Sequence, residues 1–307
     1  MKNKKVNAKP FMKWVGGKTQ LLDELETRLP DRIKQTGIID YYVEPFVGGG
    51  ALFFYLKSRY CIKKACLIDN NRDLILTYKV IQSDSRDLIK TLSALQSKYL
   101  RHNDSDRADF YYKIREEYNN QRNSVDYINF STKWVNRAGF VVFLNKTCFN
   151  GLFRQNSTGG FNVPHGRYKN PRICDSQNIL NVNKALKGVK ILNTDFSKCK
   201  KYAKPGSLVY FDPPYRPLNI TSSFTGYTKE GFCDNEQIRL AGICRELSQN
   251  GVFVLLSNSD PSNENKKDRF FDEIYNGFNI DRVLANRMVN CNPDRRGQIQ
   301  ELLIANY

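Results

Sequence analysis

Apolar positions along the chain alternate between two periods. Leu21, Leu22, Leu25 and Leu29 fall on one side of a helix predicted over Lys18 to Arg28. A short strand at Tyr41–Glu44 leads into a glycine turn, Pro45 to Gly50. A helix from Ala51 to Lys57 and a second strand at Ala65–Asp69 follow. Toward the other end, runs of strand formers predict strands at Val189–Asn193, Leu208–Phe211, Val252–Ser257 and Glu301–Asn306. A helix near Asn235–Gln249 and a strand around Asn279–Leu284 complete this region. Strands alternating with helices predict an α/β sheet.

Between these regions the helical period dominates. Leu74–Leu95, Ala108–Asn120 and Asn129–Leu144 read as amphipathic helices, and Asn145 to Pro171 is rich in glycine, asparagine and proline. Such a block reads as an insertion into one sheet. The expected division is one domain from residues 1–73 and 175–307, interrupted by a second over 74–174. No internal repeat or low-complexity tract is evident.

Charge sharpens the picture. Lys and Arg number 48 against 31 Asp and Glu, a net +17 that favours a polyanionic partner. No acidic residue occurs between Asp126 and Asp175, while seven basic ones do: Lys133, Arg137, Lys146, Arg154, Arg167, Lys169 and Arg172. Phe140, Phe143, Phe149, Phe153, Phe161 and Tyr168 lie among them. Cations interleaved with aromatics suit a phosphate backbone with bases to stack on or wedge apart, although a solvated cationic face has the same composition. The eight cysteines contain no CxxC, and only His102 and His165 could join them, so no metal site is expected and reduced thiols in a cytoplasm are the default. No apolar run reaches membrane-spanning length, no signal peptide is expected, and Met1 to Lys5 reads as a frayed basic tail.

The candidate chemistry centres on Asp212, Pro213, Pro214 and Tyr215, which follow the strand Leu208–Phe211. Open α/β sheets bind ligands at the carboxyl ends of their strands. A carboxylate, backbone carbonyls and an aromatic face there suit an exocyclic amino group on a flat base. A proline turn closed by a packing tyrosine is the plainer alternative. The glycine loop Glu44-Pro-Phe-Val-Gly-Gly-Gly50 joins a strand to a helix, and Asp69 ends the next strand 19 residues after Gly50. That spacing suits a ribose-binding carboxylate, the alternative being a tight turn with a helix-capping aspartate. No GxxxxGK[ST] motif occurs, so a nucleoside without a phosphate cradle, such as S-adenosylmethionine, fits best. In Phe11 to Lys18, Trp14 suits either an adenine or the core, and Lys18 either a carboxylate ligand or solvent. Pro-Cys is absent, which removes the usual nucleophile of cytosine-C5 methylation.

The order KWVGGK, EPFVGGG, LID, a basic insert, then DPPY resembles the Dam-type (alpha-group, D12 class) DNA adenine-N6 methyltransferases of GATC type, over Pro10 to Tyr307. The resemblance implies a Rossmann-like S-adenosylmethionine-dependent methyltransferase sheet. It also implies an inserted, mainly helical target-recognition domain with a β-hairpin, here the 74–174 segment. Phe149-Asn-Gly-Leu-Phe-Arg154 and Phe161 to Pro171 are similar to the family's DNA-contacting hairpin. By the same resemblance, Trp14, Lys18, Phe46, Gly48, Gly50, Asp69, Asp195 and Phe196 line the cofactor site. Asp212, Pro213, Pro214 and Tyr215 hold the flipped adenine. Lys13, Asn150, Leu152, Arg154 and Pro164 read bases, Phe149 wedges into the duplex, and Tyr168 supports it. Phe149 stands where family members often carry tyrosine; phenylalanine keeps the stacking face and lacks the hydroxyl. The expected partner is double-stranded DNA, alongside an independently acting restriction endonuclease. The competing readings are the same chemistry at GATATC, amino methylation of cytosine N4 or RNA adenine, and an inactive DNA-binding regulator. A polar loop, Arg216 to Lys229, is expected to order over the target, and Asn290 to Gly297 reads as a turn whose Arg295 and Arg296 meet phosphate.

Overall fold

The computed structural model describes residues 6–14, 16–156, 158–216, 232–286 and 298–307. The basic tail, nearly all of the loop after Arg216, and the turn at Asn290–Gly297 with Arg295 and Arg296 therefore lie outside the described residues. The elements, in chain order, are α1 (Leu22–Thr27), α2 (Asp31–Thr36), β1 (Ile38–Glu44), α3 (Ala51–Arg59), β2 (Cys61–Asp69), α4 (Arg72–Arg101), α5 (Asp104–Asn120) and α6 (Thr132–Thr147). They continue with α7 (Ser176–Ala185), β3 (Lys190–Asn193), β4 (Leu208–Phe211), α8 (Asp234–Gln249), β5 (Phe253–Ser259), α9 (Phe270–Ile274), β6 (Asn279–Asn286) and β7 (Gln298–Ala305).

The strands form one seven-stranded sheet in the order β3-β2-β1-β4-β5-β7-β6. β1 pairs parallel with β2 and β4, and β4 with β5, whereas β7 runs antiparallel between β5 and β6. This is the expected α/β, Rossmann-like sheet. β4 is buried at all four positions, as its unbroken apolar run predicts. The strand order reverses between β1 and β4, the switch point at which such sheets bind ligands.

The chain divides into two compact units. One comprises residues 18–47, 59–68 and 194–307 and carries β1, β4, β5, β6, β7 and α8. Its first helix is shorter than the pattern predicts, since Lys18 sits in a turn closed by Leu21 N–H donating to the Lys18 carbonyl (2.9 Å). α2, hidden in the sequence by its brevity, starts after Pro30 and stops at Gly37, whose φ of 67° only glycine adopts readily.

The other unit comprises residues 1–17, 48–58 and 69–193. It contains α4 to α7, with α4 capped by the Asn71 side chain accepting from Leu74 N–H (3.0 Å). A buried polar knot ties α4, α5 and α6. Arg137 donates to Asp73 Oδ1 (2.6 Å) and Oδ2 (3.1 Å), and the Tyr118 and Tyr127 hydroxyls donate to the same carboxylate at 2.7 and 2.8 Å. Arg137 is fully buried, so one of the seven basic residues read as suited to phosphate is structural. Phe143, Phe153 and Phe161 are likewise core residues, whereas Phe149 and Tyr168 are exposed. The expected hairpin consists of two isolated antiparallel bridges, Cys148↔His165 and Gln155↔Phe161, not a continuous ladder.

Candidate active site

Asp212 leaves the buried end of β4, which fixes its backbone. Its Oδ1 accepts a hydrogen bond from Ser257 Oγ of β5 at 2.9 Å and pairs with Lys18 Nζ, also at 2.9 Å. Ser257 is itself held by the Tyr210 hydroxyl at 2.9 Å. Burial raises the Asp212 pKa above the ordinary carboxylate value, and the Lys18 charge and the hydrogen bonds from Lys18 and Ser257 oppose that rise. Lys18 Nζ also lies 4.2 Å from the centre of the Tyr215 ring, a cation–π distance. The Tyr215 hydroxyl donates to Glu301 of β7 at 2.6 Å. Burial pushes the Glu301 pKa up, against the nearby Lys18 charge and the Tyr215 hydrogen bond. Pro213 is buried, and the Pro214 carbonyl accepts from Gln237 Nε2 at 3.2 Å. Asn258 in turn orients Gln237 (3.1 Å). The four motif residues thus form a braced set, with a carboxylate and a ring sharing one cationic neighbour.

Three of the bracing residues, Ser257, Glu301 and Gln237, were not found from sequence. Ser257 carried a weak signal, a hydroxyl near the carboxyl end of a predicted strand. Glu301 stood as a lone acid at the start of an apolar run.

Among the residues expected at the cofactor, Trp14, Gly48, Gly50 and Asp69 come together in one unit. Gly48 has φ 46° and Gly50 φ 68°; a Cβ on Gly48 would lie 2.7 Å from Trp14 Cδ1, and one on Gly50 2.6 Å from the Tyr78 hydroxyl. Tyr78 holds this bend by donating to the Gly48 carbonyl at 3.0 Å. Asp69 Oδ2 accepts from Gly48 N–H (3.0 Å) and Oδ1 from Asn71 N–H (2.9 Å). Burial pushes its pKa up to about 6, offset in part by backbone N–H groups including those of Asn71 and Gly48. Backbone N–H groups of Gly48, Asn70 and Asn71 thus surround the carboxylate, which as an anion accepts at both oxygens. Trp14 is half-buried and stacks on Phe153 (centroids 5.5 Å, 19°). The tight glycine bend and its carboxylate fit a nucleoside ligand.

Phe46, Phe196 and Asp195 belong to the other unit. Phe46 stacks on Phe196 at 5.1 Å and meets Phe232 edge-on at 5.3 Å. Asp195 caps its own turn through Ser197 N–H (3.0 Å) and is clamped by Arg239 of α8 at 3.0 and 2.8 Å. The Arg239 hydrogen bonds hold the Asp195 carboxyl well below the usual range. Arg239 also lies 4.0 Å from the centre of the Phe196 ring.

The residues expected to meet DNA lie together in the helical unit. Phe149 is 54% exposed and Tyr168 40%. Phe149 N–H donates to the Pro164 carbonyl (2.8 Å), and Arg154 Nε to Asn162 Oδ1 (2.9 Å). Lys13, Arg154 and Pro164 are exposed, while Leu152 is half-buried. Asn150 adopts φ 58° in a 3-10 turn over Phe149–Gly151. Lys13, Asn150 and Tyr168 line a cleft of about 440 Å³ with Lys146, Lys169 and Asn170. Among the described residues, no cluster of metal-ligating side chains occurs and no helix is long and apolar enough to cross a membrane.

Known proteins are similar to this chain over nearly its whole length. It is 50% identical to the Type II methyltransferase M.MjaIII of Methanocaldococcus jannaschii, over 98% of this chain and 100% of the relative. It is 37% identical to the Type II methyltransferase M1.LlaDCHI of Lactococcus lactis subsp. cremoris, over 100% and 98%. A DNA adenine methylase of Haemophilus influenzae is 32% identical, over 97% and 94%. Residues 14–289 match the model of the D12 class N6 adenine-specific DNA methyltransferases. With a Rossmann-like sheet, a nucleoside-fitting glycine bend and a braced DPPY set, the chain belongs to that family and is an adenine-specific DNA methyltransferase.

Proposed function

We propose that the enzyme methylates N6 of an adenine flipped out of duplex DNA, within GATC, with 74–174 as its target-recognition domain. The observation that carries this reading is the shared position of Lys18 Nζ, 2.9 Å from Asp212 Oδ1 and 4.2 Å from the Tyr215 ring centre. An N–H donor to the carboxylate and a group on the ring face are what a bound adenine amino group and its ring supply. Lys18 stands in for them, so the base enters as Lys18 leaves Asp212.

The adenine amino nitrogen is a poor nucleophile because its lone pair is delocalised into the ring. N–H bonds accepted by Asp212 and the Pro213 carbonyl localise that pair on nitrogen, and Tyr215 stacks on the base. S-adenosylmethionine, held by Trp14, Lys18, Phe46, Gly48, Gly50, Asp69, Asp195 and Phe196, supplies an electrophilic sulfonium methyl group. The protein's part is alignment, with Ser257, Gln237 and Glu301 fixing the groups that orient the nitrogen.

Lys13, Asn150, Leu152, Arg154 and Pro164 read the site, Phe149 wedges into the stack, and Tyr168 supports it. Arginine pairs with guanine O6 and N7, and asparagine with adenine N6 and N7, which suits a mixed site. The Haemophilus relative's name as a DNA adenine methylase supports the substrate, and two further relatives are named Type II methyltransferases; an independently acting endonuclease and a cytoplasmic location belong to the same proposal. The test is labelled methyl transfer to a duplex with one GATC and to the same duplex carrying GTTC/GAAC. N6-methyladenine in the first alone is the expected result. Equal label in both overturns the assigned site, and label only in a GATATC duplex moves it there.

A further inference from the structure

We infer that Asn145, on the last turns of α6, is a specificity-positioning residue that fastens the Lys13 backbone to the recognition turn Asn150–Gly151. This rests on the reading of Lys13 and Asn150 as base readers and assigns a role to a side chain that reads nothing itself. Asn145 is 1% exposed and cannot reach solvent DNA. Its amide is committed to the main chain of the two reading segments. Oδ1 accepts from Lys13 N–H at 2.9 Å, while Nδ2 donates to the Lys13 carbonyl at 2.8 Å and to the Gly151 carbonyl at 2.9 Å.

A side-chain amide that pairs with both backbone groups of one residue fixes that residue's orientation, as a strand partner would. Its second N–H then fixes how far Gly151 stands from Lys13. Packing tightens the same link, because a Cβ on Gly151 would lie 3.0 Å from Lys13 Cδ and 3.4 Å from Lys13 Cβ. Gly151 has φ 63° and Asn150 φ 58°, so the turn presents Asn150 through a backbone shape that few residues hold unaided. Lys13, Asn150 and Asn145 all line the same cleft. Lys13 and Asn150, 137 positions apart in sequence, are thus set in register by one buried amide. Asparagine alone offers this short arrangement of one acceptor and two donors; aspartate would face two carbonyl oxygens with a carboxylate.

The test is a double-mutant cycle on site discrimination, the ratio of kcat/KM on a GATC duplex to that on duplexes changed at one base. Lys13→Ala is expected to lower the ratio roughly tenfold at the base it reads. Asn145→Ala should lower it similarly, with cofactor affinity and melting temperature checking the fold. The double variant should lose no more than the single ones. Independent losses that multiply, or an unchanged ratio in Asn145→Ala alongside a reduced one in Lys13→Ala, overturn the inference. An unchanged ratio in Lys13→Ala overturns the base-reading assignment as well. A readout without any variant is hydrogen exchange of the Lys13 amide in the DNA-free protein. Protection is expected, and exchange at the rate of an open chain contradicts the link.

Discussion

The DPPY set and the recognition hairpin solve opposite problems. Asp212 and Tyr215 follow a buried strand, and side chains of the adjacent β5 and of β7 beyond it hold them: Ser257 and Glu301. The hairpin exposes the Phe149 and Tyr168 rings, and Arg154 donates to Asn162. Beneath it, the buried Asn145 amide bonds the backbone of Lys13 and Gly151. Chemistry that depends on alignment sits on strands, and recognition that must follow a groove sits on a loop with a stiff base. On the proposed assignments the two functions should therefore be separable by mutation.

The largest effect should come from the braced set. Asp212→Ala is predicted to lower kcat by on the order of 100-fold or more in single-turnover methyl transfer, by removing the acceptor that orients N6. In contrast, Arg154→Ala should leave single-turnover rates on GATC largely intact while discrimination falls roughly tenfold, measured by competition between duplexes. A third prediction concerns pH. On the proposed assignment of Asp69 to the cofactor ribose, its carboxyl, raised by burial to about 6, accepts a hydroxyl far better ionised than protonated. Cofactor affinity by calorimetry should fall as pH drops through about 6, and Asp69→Asn should be weak and flat across that range. The sign for stability is opposite. A carboxyl raised in the fold stabilises it below an unfolded value of about 4 and loses that contribution as pH rises through about 6. The smallest effect is expected at Lys169, exposed on the cleft rim. Lys169→Ala should reduce the salt dependence of DNA binding by about one counterion without changing site choice.

Much of the sheet could be read from the chain because its strands are long apolar runs; β4 was predicted at Leu208–Phe211 as found. Short helices such as α2 and α9 carry too few turns for a period to stand out. The DPPY residues and the glycine loop were legible because consecutive residues carry each motif. Their supports were not. Glu301 and Ser257 reach Tyr215 and Asp212 through strand pairing across 86 and 45 residues, which no local pattern encodes. Composition also misled at Arg137, whose partner Asp73 lies 64 residues away and turns a DNA-facing charge into a buried pair. Asn145 looked like part of a polar loop, yet it closes α6 with its side chain turned to backbone.

The most direct test of this separation is the binding selectivity of the Asp212→Ala enzyme with S-adenosylmethionine present. Its affinity for a GATC duplex and for the matched GTTC/GAAC duplex should differ by the wild-type ratio, with N6-methyladenine formed slower by on the order of 100-fold or more. Methyl transfer at the wild-type rate, or a ratio that collapses to one, would contradict the account.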